Sequence, residues 1–364
     1  MKILVFNWRC WLNPAAGGAE IFTKEVLTNW TTKGHKITLF TSQYPNSKPE
    51  ETSNGVQIIR AGGKYSVYSK AKKYYKKIFS KQNYDVVIDE INTRPFQTPK
   101  FVNNNETIIA LIHQLAREYW FYETRFPINY IGYHYLEKKW LKNYTNIPTF
   151  TVSKSTKEDL IELGFNKIFE VSEGLNFNPL NNIPTKEPYP VIVYSGRLKS
   201  PKRPNHAIEA FKLVKKKISN AQLWIIGEGP LKNKLEKNAI NDVKFFSNLS
   251  NQQRRKKIKK AWILINPSIR EGWGLNVIEA NALGTPCVAY NVKGLRDSIK
   301  HNQTGLLVES GNISKLSQAI IKVINNKELR NNLGENALKY SRQFSWEKTA
   351  NNFLDIIQQI ITDK

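Results

Sequence analysis

REGWGLNVIEA, Arg270 to Ala280, sets two glycines around a tryptophan and places two glutamates, Glu271 and Glu279, eight positions apart. Glycine costs backbone entropy, so a chain keeps it where a turn or a close backbone approach needs it. An indole is rarely left on a loop without a use. The run before this stretch, WILINPS (Trp262–Ser268), reads as a strand buried on both faces. The run after it predicts a helix from near Leu275 to about Leu283, with Gly284 as its stop. Strand, glycine loop and helix in that order put the loop at the carboxyl end of a parallel strand, where open α/β sheets bind ligands.

The unpaired amides at such a helix start, together with the positive end of its dipole, suit a phosphate or diphosphate. Gly272 and Gly274 would let it reach the backbone, and Leu275 opens the helix. Glu271, just before the turn, is placed to accept hydrogen bonds from sugar hydroxyls, and Glu279, about a turn inside the helix, from a ribose diol. Spacing alone also allows a plainer reading. Asn276 to Glu279 is a capping-box interval, and Trp273 would serve as core. On spacing, both readings stay open.

Outward from this segment the chain alternates strand and helix. In the first part, KILVFN (2–7), HKITLFTS (35–42), VQIIRA, YDVVID, ETIIALIH and PTFTVS read as strands. A Gly-Gly turn at Gly17 and Gly18 precedes a helix that carries Ile21, Phe22, Val26 and Trp30 and stops at Gly34. Ser155 and Glu158 have capping-box spacing for a later helix that Gly164 closes. NPLNNIPTKEPYP, around residues 178–190, lacks periodicity and is rich in proline, which marks it as the linker. The cycle then restarts with VIVYSG, LWIIGEG, VKFFSN, WILINPS, TPCVAY and TGLLV. This predicts an α/β chain of two parallel-sheet domains, 1–185 and 186–345. Residues 346–364 form a helix with Trp346, Ala350, Leu354, Ile357 and Ile361 on one face, which requires a docking surface.

EGWGLNVIEANALGTPCVAYNVKGLRDSI followed by TGLLV resembles the signature of glycosyltransferase family 4, with its pair of glutamates at Glu271 and Glu279. The resemblance covers nearly the whole chain in order. NPAAGGAE (13–20) is similar to the family's glycine loop, and GRLKSPK places Arg197 and Lys202. It implies a GT-B fold, two Rossmann-like domains facing across a cleft with the last helix crossing back to the N-terminal domain. It also implies transfer of a hexose from a nucleotide diphosphate sugar, UDP- or GDP-linked, with retention of anomeric configuration and neither cofactor nor metal. No Asp-x-Asp stands in the chain. Arg197, Lys202 and the helix start would instead meet the negative charge of the departing diphosphate. His113, at the end of TIIALIH, matches a family histidine that contacts the transferred sugar, with proton handling as its secondary role. Glu228 and the loop holding Asn248 and Leu249 fall where the base would be selected. Where the family often has Pro-Asn-Gly, this chain has Ser172-Glu173-Gly174, which keeps the glycine and loses the Asn.

The 364 residues carry a net charge of +25, which attracts polyanions, anionic lipid or phosphorylated small molecules. Only Cys10 and Cys287 are present, which argues against a disulfide framework or a cysteine zinc site. No apolar run is long enough to span a bilayer. The opening MKILVFNWRC reads as a strand rather than a signal peptide, so a cytoplasmic protein is expected, peripheral on the inner face of the membrane at most. KAKKYYKKIFS (70–80) interleaves Lys72, Lys73, Lys76 and Lys77 with Tyr74, Tyr75, Ile78 and Phe79, a basic-aromatic element suited to an anionic membrane surface. That favours a lipid-linked or glycan acceptor. RRKKIKK (254–260) reads as a solvated helix face. No nucleic-acid motif accompanies the charge, so no nucleic-acid partner is expected. The alternative within the same fold is a nucleotide-sugar hydrolase or epimerase; outside it, a basic nucleic-acid-binding protein.

Overall fold

The computed structural model describes residues 1–363. It divides into two units, Met1–Gly174 with Phe344–Lys364, and Leu175–Gln343. In the first unit the strands are β1 (Lys2–Phe6), β2 (Lys36–Thr41), β3 (Glu50–Ser53), β4 (Val56–Arg60), β5 (Val86–Glu90), β6 (Thr107–Ile112), β7 (Thr149–Thr151) and β8 (Ile168–Glu170). They form one sheet in the order β3-β4-β2-β1-β5-β6-β7-β8. All pairs are parallel except β3–β4. The second unit holds β9 (Val191–Ser195), β10 (Gln222–Ile226), β11 (Val243–Phe246), β12 (Ile263–Asn266), β13 (Cys287–Tyr290) and β14 (Gly305–Val308). Their order is β11-β10-β9-β12-β13-β14, all parallel.

That order is the doubly wound one, with its switch where β9, the first strand, lies beside β12, the fourth. In the first unit the chain likewise reverses direction across the sheet where β1 lies beside β5. The apolar runs of the sequence are these strands, since helices on both faces leave no water-facing side. β9, β12 and β13 are buried at every residue. Two strands escaped the sequence reading. β3 is a charged antiparallel edge, and β8 has only three residues.

The boundary corrects the expected one. It falls at Gly174–Leu175, and the proline-rich stretch is no free linker. Leu180 N–H donates to Ala282 O at 2.9 Å and Glu187 N–H to Lys260 O at 3.0 Å, which lays the stretch along the second unit. The helix Lys154–Glu162 is capped by Ser153, whose hydroxyl accepts from Thr156 N–H at 3.2 Å, so the expected cap Ser155 lies inside the first turn.

The final helix Trp346–Thr362 docks on the first unit, against the helix Gly18–Thr32. Trp30 Nε1 donates to Ala350 O at 2.8 Å, and the Phe353 ring lies 4.1 Å from Phe150 and 5.1 Å from Trp30. Gly174 is needed at this joint, because a Cβ there would sit 2.3 Å from Trp346 N.

The basic-aromatic element is also corrected. It forms the helix Val67–Lys77, but Tyr75 and Phe79 are wholly buried, and Tyr74 packs on Phe40 and Phe79. Core packing takes the aromatic face, leaving Lys72, Lys73, Lys76 and Lys77 exposed with Ile78 as the one exposed apolar side chain among them. The basic helix Asn251–Lys260 is likewise more than a solvated face. Arg254, Arg255 and Lys260 bond Glu279, Asn176 and Glu187, and Lys257 lies 3.6 Å from the Phe246 ring centroid.

Candidate functional site

In the second unit the site grows from the carboxyl ends of β9 and β12. After β9 the chain passes Gly196, Arg197 and Leu198 into a short turn, Ser200–Lys202, and then the helix Pro204–Lys215. After β12 it runs through the glycine-tryptophan loop into the helix Leu275–Ala282. Lys202 Nζ donates to Glu271 Oε2 at 2.5 Å and so joins the two loops across the switch. Ser268 Oγ donates to Glu271 Oε1 at 2.8 Å. The loops are also tied through their backbones, with Ile269 N–H on Pro201 O at 3.0 Å.

Asparagines fix the helix start. Asn276 Nδ2 donates to Ser195 O at 2.8 Å and its Oδ1 accepts from Asn266 Nδ2 at 3.2 Å. This resolves the capping-box alternative. The N-cap is Gly274 at φ +106°, so Asn276 lies inside the first turn and is occupied with the strand ends. Glu279 instead accepts both guanidinium branches of Arg254, at 2.6 and 2.7 Å. Burial works against the Arg254 charge, but the hydrogen bond and charge of Glu279 outweigh it and raise the Arg254 pKa.

Trp273 is only 6% exposed, so the indole is held inward. Gly274 has the left-handed backbone that favours glycine, and a Cβ there would come within 3.1 Å of Leu295 Cδ2. Gly294 lies tight under the same loop, where a Cβ would meet Glu271 O at 2.1 Å. Gly272 and Leu275 are half-buried at the entrance to the helix, and Arg197 is half-buried where the chain leaves β9.

The residues expected near the base lie on the same edge of the sheet, beyond β10 and β11. Glu228 bonds Ser247 and Lys232, the latter at 3.2 Å, and these bonds lower its pKa. Asn248 is exposed with φ +53°, and Leu249 packs on the core.

Gly17, Gly18 and His113 belong to the first unit. Gly17 caps the helix Gly18–Thr32, and its N–H donates to Glu20 Oε2 at 2.6 Å, so that amide is already engaged. Arg9 Nε donates to Glu20 Oε1 at 3.0 Å. His113 follows β6 and is 6% exposed, with Nε2 3.3 Å from Glu90 Oε1. Thr23 Oγ1 lies 2.8 and 2.7 Å from the two oxygens of Glu90. Burial pulls the His113 pKa down. The Glu90 hydrogen bond, with the charges of Glu90, Glu173 and Glu20, outweighs it and leaves the pKa raised. His113 Nδ1 is buried without a hydrogen-bond partner among the described residues.

The sequence reading missed Glu90, Thr23, Glu20 and Arg9 in the first unit, and Arg254, Ser268 and Asn276 in the second. For Glu90 the signal was its place as the last residue of a strand beside the switch. Asp89, one residue earlier, points to the other face and is structural. Burial pushes it up to about 6, against its bonds from Tyr144, Phe96 and Thr98.

Two doubly wound units, with charged side chains gathered at strand ends beside each switch and a last helix returned to the first unit, define the GT-B class of fold. Residues 16–177 match the family described as Glycosyltransferase Family 4, and residues 180–340 the one described as Glycosyl transferases group 1. The chain belongs to the family-4 type of glycosyltransferases. It is 34% identical over 185 residues to poly(glycerol-phosphate) alpha-glucosyltransferase of Bacillus subtilis, covering 50% of this chain and 27% of that protein. The chain spans about three-fifths or less of the length of the curated relatives it matches. Among solved structures, sucrose-phosphate synthase from Thermosynechococcus elongatus superposes with TM-score 0.79 at 20% identity, covering 100% of both chains. Anabaena HepE in complex with UDP and glucose gives TM-score 0.71 at 14% identity, covering 99% of this chain and 100% of that one. At these identities the structural likeness is one of fold.

Proposed function

We propose that the chain transfers a hexose from a nucleoside diphosphate sugar to a hydroxyl acceptor, with retention of anomeric configuration. The observation that carries this reading is the Lys202–Glu271 bond across the β9–β12 switch, beside the start of the helix Leu275–Ala282. As the bond to the anomeric carbon breaks, the diphosphate leaves with the electron pair and gathers negative charge. Lys202, Arg197 and the amides of the helix start are the groups that meet it, so no metal is required of this chemistry. Glu271, fixed by Lys202 and Ser268, keeps lone pairs for sugar hydroxyls. Glu279, oriented by Arg254, does the same for the ribose. In the first unit, His113 has Nε2 taken up by Glu90, and Nδ1, buried and without a partner among the described residues, is the ring atom left for a substrate hydroxyl. Glu90 outweighs burial and raises its pKa, which favours the protonated ring, a donor at both nitrogens.

The base is uracil or guanine, with Glu228, Asn248 and Leu249 selecting it. HepE, solved with UDP and glucose, supports a nucleoside diphosphate sugar in a fold of this kind. The acceptor is a lipid-linked or cell-surface glycan, worked on at the cytoplasmic face of the membrane. The poly(glycerol-phosphate) glucosyltransferase supports that class.

Thermal-shift measurement with UDP-, GDP- and ADP-sugars tests the donor. Stabilisation by the matching nucleoside diphosphate is expected, and it should disappear in Lys202→Ala. Nucleotide release that depends on acceptor and persists in EDTA is the expected turnover. Release of free sugar without acceptor would place the chain among hydrolases of the same fold.

A further inference from the structure

We propose that residues 119–142 of the first unit are a docking surface for an anionic lipid bilayer. Among the described residues, seven of the twelve exposed large hydrophobic ones fall between 121 and 135, with Phe126 at 80% and Tyr135 at 63% exposure. So dense a patch marks an interaction surface, whereas the other five are scattered.

The patch is held out by a firm base. Trp120 is buried, and a Cβ on Gly132 would lie 2.2 Å from its ring, so the turn at Gly132 rests directly on the indole. Trp120 and Trp140 have ring centroids 6.2 Å apart. Buried Glu137 accepts the N–H of Ala116 at 2.6 Å and of Arg117 at 3.0 Å. The outer rings then follow one another. Phe121 lies 5.1 Å from Tyr133, Tyr133 4.8 Å from His134, and His134 4.2 Å from Tyr130. Packing inward is therefore satisfied, and the apolar side chains face out for another reason.

Charge and residue type select the occupant. Arg125, Lys138, Lys139 and Lys142 are exposed in the same stretch, against exposed Glu118 and Glu123. Tyrosines with phenylalanine and isoleucine, flanked by cations, suit the headgroup level of a membrane, where rings sit at the acyl boundary and cations meet anionic headgroups. A net charge of +25 opposes a second copy of the chain and favours a negative partner. The surface begins just beyond His113 in the chain. This proposal holds or fails independently of the transfer reaction.

The test is co-sedimentation of the full chain with phosphatidylcholine–phosphatidylglycerol vesicles and with phosphatidylcholine alone. Binding to the mixed vesicles is expected, weaker by roughly tenfold or more in Phe126→Ser/Ile128→Ser. Both positions are exposed, and unchanged thermal unfolding would confirm that the fold survives. As a second reading, Phe126→Cys carrying an environment-sensitive dye should shift to the blue on adding mixed vesicles; Cys10 and Cys287 are buried and escape labelling. Absence of wild-type binding, equal binding to phosphatidylcholine alone, undiminished binding of the double variant, or an unshifted dye would each overturn the proposal. So would a wild-type dimer in light scattering that the double variant dissolves, which would assign the surface to a second copy.

Discussion

The two units place charged groups at the carboxyl ends of strands beside their own switches, yet they fill those places differently. In the second unit the groups are partly exposed cations, 23% and 21% at the side chain, clasped to carboxylates, Lys202 to Glu271 and Arg254 to Glu279. In the first unit the groups are buried, with three carboxylates, Glu20, Glu90 and Glu173, around one histidine. A partly exposed cation can leave its carboxylate for a diphosphate at less cost than a buried one, because water and the ligand share the cost of separating the pair. A buried carboxylate–histidine set cannot open so cheaply, since an uncompensated charge would remain inside. Under the proposed function, the contrast gives exchangeable anion binding to the second unit and fixed positioning of one imidazole to the first.

The largest effect expected from this contrast is at Lys202. Lys202→Ala should lower turnover by roughly 10² or more, with the donor-dependent thermal shift lost as well. Near-normal turnover in the folded variant would remove the second unit from the chemistry. Next is the joint of the final helix. Gly174→Ala forces a Cβ against the Trp346 backbone and should cost about 1–3 kcal/mol, read as a lowered urea midpoint. An unchanged midpoint would mean that the helix start can shift freely. Arg254→Ala leaves Glu279 without its two bonds and should raise the KM for donor by several-fold while kcat changes less. Equal loss in both would move Glu279 from donor binding to the reacting centre.

The smallest effect concerns pH. The His113 pKa is raised on folding, so its stabilisation is complete below the unfolded value of about 6.5 and is lost as pH rises through the folded value. Glu90→Gln should remove this loss from the pH profile of unfolding. A profile identical to wild type would show that Glu90 does not hold the histidine.

Much of the second unit was legible because its chemistry is local. Glu271, Gly274 and Glu279 share one loop and helix, and Arg197 and Lys202 share another. The partners of those groups were not legible. Arg254 is 25 residues from Glu279, in a run of cations where no neighbour distinguishes it. Thr23 and Glu90, 67 positions apart, meet only because β1 lies beside β5 with the first helix over them. The lysines of the helix Val67–Lys77 show the converse failure. Their interleaved aromatics suggested a membrane face, but a helix of period 3.6 turned those rings into the core.

The sequence by itself determined the alternation of strand and helix, the two parallel sheets, the glycine loop before Leu275 and the amphipathic last helix, because each is written in contiguous residues whose spacing and backbone demands act locally. Only the tertiary structure decided where the first unit ends, that Lys202 clasps Glu271 and Arg254 clasps Glu279, and which aromatic side chains stay outside. Those outcomes depend on which strands become neighbours and which faces are covered, and burial changes the worth of a charge or a ring only after that arrangement exists.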